Sequence, residues 1–244
     1  MGKIIALWGC PGSGTSTTCV KLARAIYDRY AAKVLCVFGD AVTPYLPILF
    51  PLSREGELHS LGGLLADAEI TPNSLLRYVV TANTVRDIGF LGYRDGENRH
   101  TYAAYTADKA AGMLDIAASL ADFVLVDVGW DLTAPLALAA LQKAAGILQL
   151  ASPGLLSLGF YASQLPLYSD PSFRLTEQRR VLNVCRPGCL PLEETKRALG
   201  GVDFVLPYSH EVERQGFEGR LLFKASGAYS RAMRRIAEAV VHAG

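Results

Sequence analysis

The chain has 244 residues, of which 50% are hydrophobic and 19% charged, with a formal net charge of +1. That length suits one α/β domain over residues 1–244, and that hydrophobic fraction excludes wholesale disorder. The near-neutral balance gives no global electrostatic support for a nucleic-acid or membrane partner, so DNA or membrane contact would need a local patch.

The five cysteines, Cys10, Cys19, Cys36, Cys185 and Cys189, are odd in number and scattered, unlike a secreted disulfide framework. Cys185 and Cys189 lie close, but no second Cys/His pair stands at metal-site spacing. Met1-Gly2-Lys3 leads directly into Ile4–Trp8, an apolar run too short for the core of an export leader. No stretch approaches the length of a membrane-spanning helix. The expectation is a cytoplasmic protein with reduced thiols.

Short β-branched runs alternate with longer helical patterns, the signature of βαβ units around a mainly parallel, twisted sheet. In chain order the pattern predicts a strand at Ile4–Trp8, a helix at Thr17–Arg29 and a strand at Val34–Phe38. Asp40–Tyr105 is irregular and rich in Gly, Pro and polar residues, and reads as short helices and loops over one end of the sheet. Within it only Ile88–Leu91 is a candidate strand. A helix at Ala107–Ala121, a strand at Phe123–Val128, a helix at Pro135–Ala144 and a strand at Gly146–Leu150 follow. A short helix after Ser157, strands at Val181–Val184 and Asp203–Leu206 on either side of a short helix after Leu192, and a helix at Ser226–His242 complete the set. The fold class is therefore α/β, a three-layer α/β/α sandwich.

The segment Gly9-Cys10-Pro11-Gly12-Ser13-Gly14-Thr15-Ser16-Thr17-Thr18 follows a buried strand and opens a helix, the context of a phosphate-binding P-loop. Glycines at 9, 12 and 14 permit a backbone whose N–H groups turn inward on a polyphosphate, and the helix adds its dipole and its unpaired first amides. Ser16, with Thr17 beside it, stands at the hydroxyl position that ligates magnesium. Thr15 stands where Gly-x-x-x-x-Gly-Lys-Ser/Thr requires lysine. Taken alone, the segment is also consistent with a glycine turn that merely starts a helix.

Two further strands end in acids. Phe123–Val128 delivers Asp127, a candidate magnesium ligand of the Walker B kind, or a turn cap. Val34–Phe38 leads through Gly39 to Asp40, a candidate catalytic residue for orienting water, or again a turn cap. Ligands of open parallel sheets bind at the edge to which both are delivered.

The order of these pieces resembles the ParA/MinD family of P-loop ATPases, which position plasmids, chromosomes, division sites and pili. The resemblance runs from the loop through the strands carrying Asp40 and Asp127 to Ala137–Pro153, which is similar to the segment after the family's switch II. Val181–Val184 resembles the strand whose Asn contacts adenine, here Asn183, and Phe204–Ser209 resembles the strand and loop near the base, here with Pro207. Val42–Tyr105 matches least. The resemblance implies a P-loop NTPase fold, ATP or ADP with Mg²⁺, a homodimer, and a protein partner or cargo. It also implies a nucleotide site built from residues Gly9 to Thr17, Asn183 and Pro207, with metal at Ser16 and Asp127.

Three departures stand out. Cys10 occupies the place of the lysine that reaches across the family's dimer, Thr15 replaces the phosphate-binding lysine, and Phe38 stands in place of one of two strand-end aspartates. Loss of a charge-assisted phosphate contact costs roughly 1.5–3 kcal/mol, about one to two orders of magnitude in affinity. Pilus-positioning proteins of the TadZ/CpaE type share a degenerate loop. The sequence thus implies a partition or positioning protein with weak or absent ATP hydrolysis. A scaffold that has lost nucleotide binding is the alternative; a metabolic kinase or ligase is disfavoured, because its chemistry leans hardest on the absent lysine.

Other features carry less. The final helix sets Tyr229, Met233, Ile236 and Val240 on one face and Arg231, Arg234 and Arg235 elsewhere, as expected of a helix covering the sheet with a solvated basic side. Arg179-Arg180 reads as a solvated loop pair. The four histidines show no metal spacing. Tyr93–Tyr105, with Arg94, Arg99 and Lys109 near it, reads equally as a partner-contact loop or a packed surface loop.

Overall fold

The computed structural model describes residues 1–50, 58–82, 85–98 and 100–242; Arg99 and parts of the irregular region lie outside them. Eight strands form one sheet: β1 (Lys3–Gly9), β2 (Val34–Phe38), β3 (Val80–Ala82), β4 (Val85–Leu91), β5 (Phe123–Asp127), β6 (Gly146–Ala151), β7 (Arg179–Asn183) and β8 (Phe204–Leu206). Their spatial order is β3-β4-β2-β5-β1-β6-β7-β8. All adjacent pairs are parallel except β3 with β4, which is antiparallel at the edge.

The period of two along β1 sends Ile4, Ala6 and Trp8 into one core and Ile5 and Leu7 into the other. Helices α1 (Thr15–Tyr30) and α10 (Gly227–Val241) cover the second face; α5 (Ala107–Leu120), α6 (Pro135–Lys143) and α7 (Leu155–Gln164) cover the first. Because β1, β2 and β5 are buried on both sides, they read as continuous apolar runs, and their predicted positions agree closely with those observed.

The irregular region is more regular than its composition indicates. It supplies α2 (Leu46–Leu49), α3 (Leu61–Ala66), α4 (Pro72–Tyr78), the edge strand β3 and its neighbour β4. These elements are short and their apolar residues have no clear period, so local pattern is a weak guide to them. Arg179 and Arg180 are a second correction: both lie within β7, not in a loop. Arg180 is drawn in by hydrogen bonds from its guanidinium to Gln149 Oε1 and to the Leu199 carbonyl. Helix α8 (Leu192–Ala198) matches its expectation, while α9 (His210–Phe217) has too little apolar surface to show in the sequence, with Val212 and Gln215 as its buried residues.

The final helix behaves as expected. Tyr229, Met233, Ile236 and Val240 are buried and Arg231, Arg234 and Arg235 are exposed. His59, His100, His210 and His242 are exposed, and the described residues hold no cluster of three or more metal-ligating side chains. No described helix is long and apolar enough to cross a membrane.

Lys21 on α1 is 3% exposed, and its ammonium donates to Gln215 Oε1 and, at 2.8 Å, to the Phe223 carbonyl. Burial lowers its pKa to about 8, from 10.5. Between those values the unfolded chain holds a proton that the folded chain has released, so stability rises with pH. The unfolding free energy from urea titration should therefore rise by about 1–2 kcal/mol between about pH 8 and pH 9.5, and Lys21→Met should flatten that slope. A slope that survives in Lys21→Met would assign it elsewhere.

Candidate functional site: a phosphate loop without a cation

The loop leaving β1 turns on Gly12 and Gly14, with φ of 78° and 79°, values that L-residues with a Cβ rarely adopt. Gly14 is also the residue before α1, and no side chain caps that helix. The Ser13 amide bonds back to the Cys10 carbonyl at 3.0 Å, so it is turned away from any ligand. The amides of Gly12, Gly14, Thr15, Ser16 and Thr17 have no hydrogen-bond acceptor among the described residues. Such a run at a helix N-terminus is an anion-binding arrangement.

These residues open onto a cavity of about 460 Å³ that reaches Asp40, Tyr45, Asp127 and Trp130. A second cavity, of about 270 Å³, lies on the other side of Gly12, Gly14 and Thr17 and is walled by Asn183, Cys185, Pro207, Val212 and Phe217. The loop thus lies between two chambers, the first of them called polar for the carboxylates of Asp40 and Asp127 that line it. No Lys or Arg lines either cavity among the described residues.

Asp127 ends β5 and is 2% exposed. Its carboxylate accepts from the Ser16 hydroxyl at 2.5 Å and from the Gly129 amide at 3.2 Å. Burial pushes its pKa up to about 6; those two donors pull it down, and the charge of Asp40 adds to the rise. A buried acid beside a hydroxyl, with no cation facing it, is an oxygen-only donor pair that suits magnesium.

Asp40 caps its own turn, its Oδ1 accepting from the Val42 and Thr43 amides at 2.8 and 3.3 Å. It also walls the polar chamber. Both sequence readings of Asp40 therefore have a geometric counterpart.

Two predicted site residues are turned inward. Cys10 is 4% exposed and its thiol donates to Ser157 Oγ at 3.1 Å, so the position where the resemblance implies a lysine reaching outward is closed onto α7. Asn183, 6% exposed, donates from Nδ2 to the Ser13 carbonyl at 2.9 Å, so it braces the phosphate loop, and it also lines the second cavity. Thr15 bonds locally, its Oγ1 lying 3.1 Å from Ser13 Oγ. Gly9 is held by the Gly129 carbonyl, and Pro11 lines the polar chamber.

Tyr45 is an addition that sequence pattern does not show. Its hydroxyl lies 3.1 Å from Thr17 Oγ1, its ring packs 5.2 Å from Phe38, and burial pushes its pKa up to about 12. It comes from the segment just before α2, which carries no motif.

No family profile and no curated protein matches the sequence. Solved structures do match in shape. A ParA family ATPase from Chlorobium tepidum superposes with a TM-score of 0.79 at 16% identity, covering 98% of this chain and 99% of that one. The cell division ATPase MinD of Pyrococcus furiosus gives 0.72 at 20% identity, covering 98% of each. The septum site-determining protein MinD of Pyrococcus horikoshii, complexed with Mg-ADP, gives 0.68 at 19% identity, covering 99% and 97%. With a parallel sheet, a glycine loop after its first strand and an acid at the end of the neighbouring strand, the chain has the fold of the ParA and MinD P-loop ATPases.

Proposed function

We propose that the chain binds ATP or ADP with Mg²⁺ at the loop between β1 and α1, and that it serves partition or subcellular positioning with slow or no hydrolysis. The observation that carries this reading is the run of unpaired amides at Gly12 and Gly14–Thr17, facing an acid and a hydroxyl at the same sheet edge. Structural neighbours bearing the names ParA and MinD, one of them with Mg-ADP, support the class of ligand and of process. On this reading Ser16 and Asp127 hold the magnesium, whose charge would offset the phosphates, and the amides orient them. Pro207, with Val212 and Cys185, walls the base chamber, while Asn183 keeps the loop in shape. Asp40 is placed to orient water if hydrolysis persists. Residues 1–244 act as one domain, as a homodimer with a protein partner, and the pilus-positioning TadZ/CpaE type is a functional analogue.

One observation favours a second reading, a scaffold without nucleotide. Among the described residues neither cavity has a basic side chain, while the polar chamber carries Asp40 and Asp127. Phosphates entering without a metal would meet like charge.

Calorimetry separates the two readings. Binding of ATP should require magnesium and vanish with chelator. Thr15→Lys should tighten it by about 10- to 100-fold, the worth of one charge-assisted phosphate contact. No heat with Mg-ATP in either protein would leave the scaffold reading standing.

A further inference from the structure

A third cavity, of about 430 Å³, lies between the Tyr93–Tyr105 loop and the turn that follows β5. Four aromatic residues line it, Tyr93, Tyr102, Tyr105 and Trp130, together with the carboxylates of Asp40 and Asp131. Among the described residues no Lys, Arg or His lines it. Among its described residues the chamber is therefore aromatic and carries two negative charges.

The tyrosines are held within the protein. The hydroxyls of Tyr93 and Tyr105 lie beside one another, next to the backbone of Leu136. Tyr102 donates to Glu97 Oε1 at 2.7 Å. Glu97 is itself 8% exposed and held by Ser60 and by the backbone and guanidinium of Arg94, so the charge of Arg94 is engaged there. The Tyr102 ring lies on bare backbone: a Cβ on Gly62 would come within 2.3 Å of it. These contacts fix the rings in place without calling on any ligand.

The two acids are only half engaged. Asp40 accepts two amides through Oδ1, and Asp131 accepts the Thr133 amide and hydroxyl through Oδ1, at 2.9 and 2.6 Å. Neither Oδ2 accepts a hydrogen bond among the described residues. Fixed aromatic surface attracts cations through its quadrupole, and an open carboxylate oxygen adds charge and a hydrogen-bond acceptor. An anion would be repelled. The volume exceeds that of a bare ammonium and falls in the range of small-molecule sites.

We propose that this cavity binds an organic cation, an alkylammonium or guanidinium group, carried either by a free amine or by a basic side chain of a partner protein. Trp130 and Asp40 also line the phosphate-side chamber, so the two sites share a wall. The inference stands on the cavity alone and holds whether or not nucleotide binds.

Trp130 supplies the readout. The chain has two tryptophans, and Trp8 is fully buried in the core. Titration of the full chain with choline, agmatine or the peptide Gly-Gly-Arg-Gly-Gly should change fluorescence saturably, and Trp130→Phe should remove the change. At least one of these cations should bind about 10-fold or more tightly than the uncharged carbon isostere of choline, and Asp131→Asn should weaken it about 5-fold. Tighter binding of the peptide assigns the source to a partner's side chain; tighter binding of choline or agmatine assigns it to a free amine. No saturable change with any of the cations, an isostere that binds equally well, or an unaffected Asp131→Asn would each overturn the proposal. The isostere comparison uses the unaltered protein and is immune to any folding defect of the variants.

Discussion

Gly14→Ala is expected to destabilise the protein by about 2–5 kcal/mol and to remove the proposed Mg-nucleotide binding. Two costs combine. An L-residue held near φ 79° costs about 1–2 kcal/mol. The new Cβ would also stand 2.5 Å from Asn183 Nδ2, displacing an amide that donates to the Ser13 carbonyl. Leaving that buried pair unmade costs a further 1–3 kcal/mol or so. Gly12→Ala is the control, because it has the same sign of φ, 78°, but a Cβ there meets nothing within 4 Å. It should cost only the conformational part. In an Asn183→Ala background the steric cost at Gly14 should largely disappear, giving a coupling of about 1–2 kcal/mol in a double-mutant cycle. Equal losses for Gly12→Ala and Gly14→Ala in urea unfolding would show that Asn183 does not brace the loop.

Asp127→Asn should have the opposite effect on the ligand-free fold. With its folded pKa near 6 against an ordinary 3.8, the buried carboxylate favours its protonated form in the folded chain. Above about pH 6 it is ionised in both states and its desolvation opposes folding in full. As pH falls the folded state takes up the proton first, so the penalty shrinks and is gone once both states are protonated, below about pH 4. The variant should therefore be more stable than the parent by about 1–3 kcal/mol at pH 7–8, the worth of about two pKa units at most. The difference should close towards pH 4. Geometry permits the exchange, since an amide can still accept from the Gly129 amide while pairing with the Ser16 hydroxyl. The same variant should lose magnesium-dependent nucleotide binding. A destabilised Asp127→Asn with unchanged Mg-ATP binding would remove Asp127 from the site and from the list of buried charges alike.

The two predictions share one physical cause. The loop is shaped by neutral contacts, glycine conformation and the Asn183 brace, while the charged side chains lining its cavities among the described residues are all acidic. If the site binds nucleotide as proposed, a magnesium ion would be the source of positive charge for its phosphates among the groups discussed, and the affinity for nucleotide should follow magnesium closely. Restoring lysine at Thr15 tests that balance from the other side.

Much of this was legible along the chain. The apolar runs at Ile4–Trp8, Val34–Phe38 and Phe123–Val128, the glycines of the loop and the acids after the strands all express local rules: buried parallel strands need continuous apolar residues, and tight turns need glycine. Those rules act over a few residues, so the sequence by itself determined the α/β class, the position of the phosphate loop and the delivery of Ser16, Asp40 and Asp127 to one sheet edge. What Cys10, Asn183 and Tyr45 do depends on partners far away in the chain. Cys10 meets Ser157, Asn183 meets Ser13 and Tyr45 meets Thr17 across separations of 147, 170 and 28 residues. No periodicity encodes such pairs. The aromatic cavity likewise joins the Tyr93–Tyr105 loop to the turn beyond β5, and its character appears only when both are in place. Local sequence sets backbone conformation and burial pattern, but which side chains close on one another is decided by the packing of layers, so the brace, the tucked cysteine and the cation cavity belong to the tertiary structure alone.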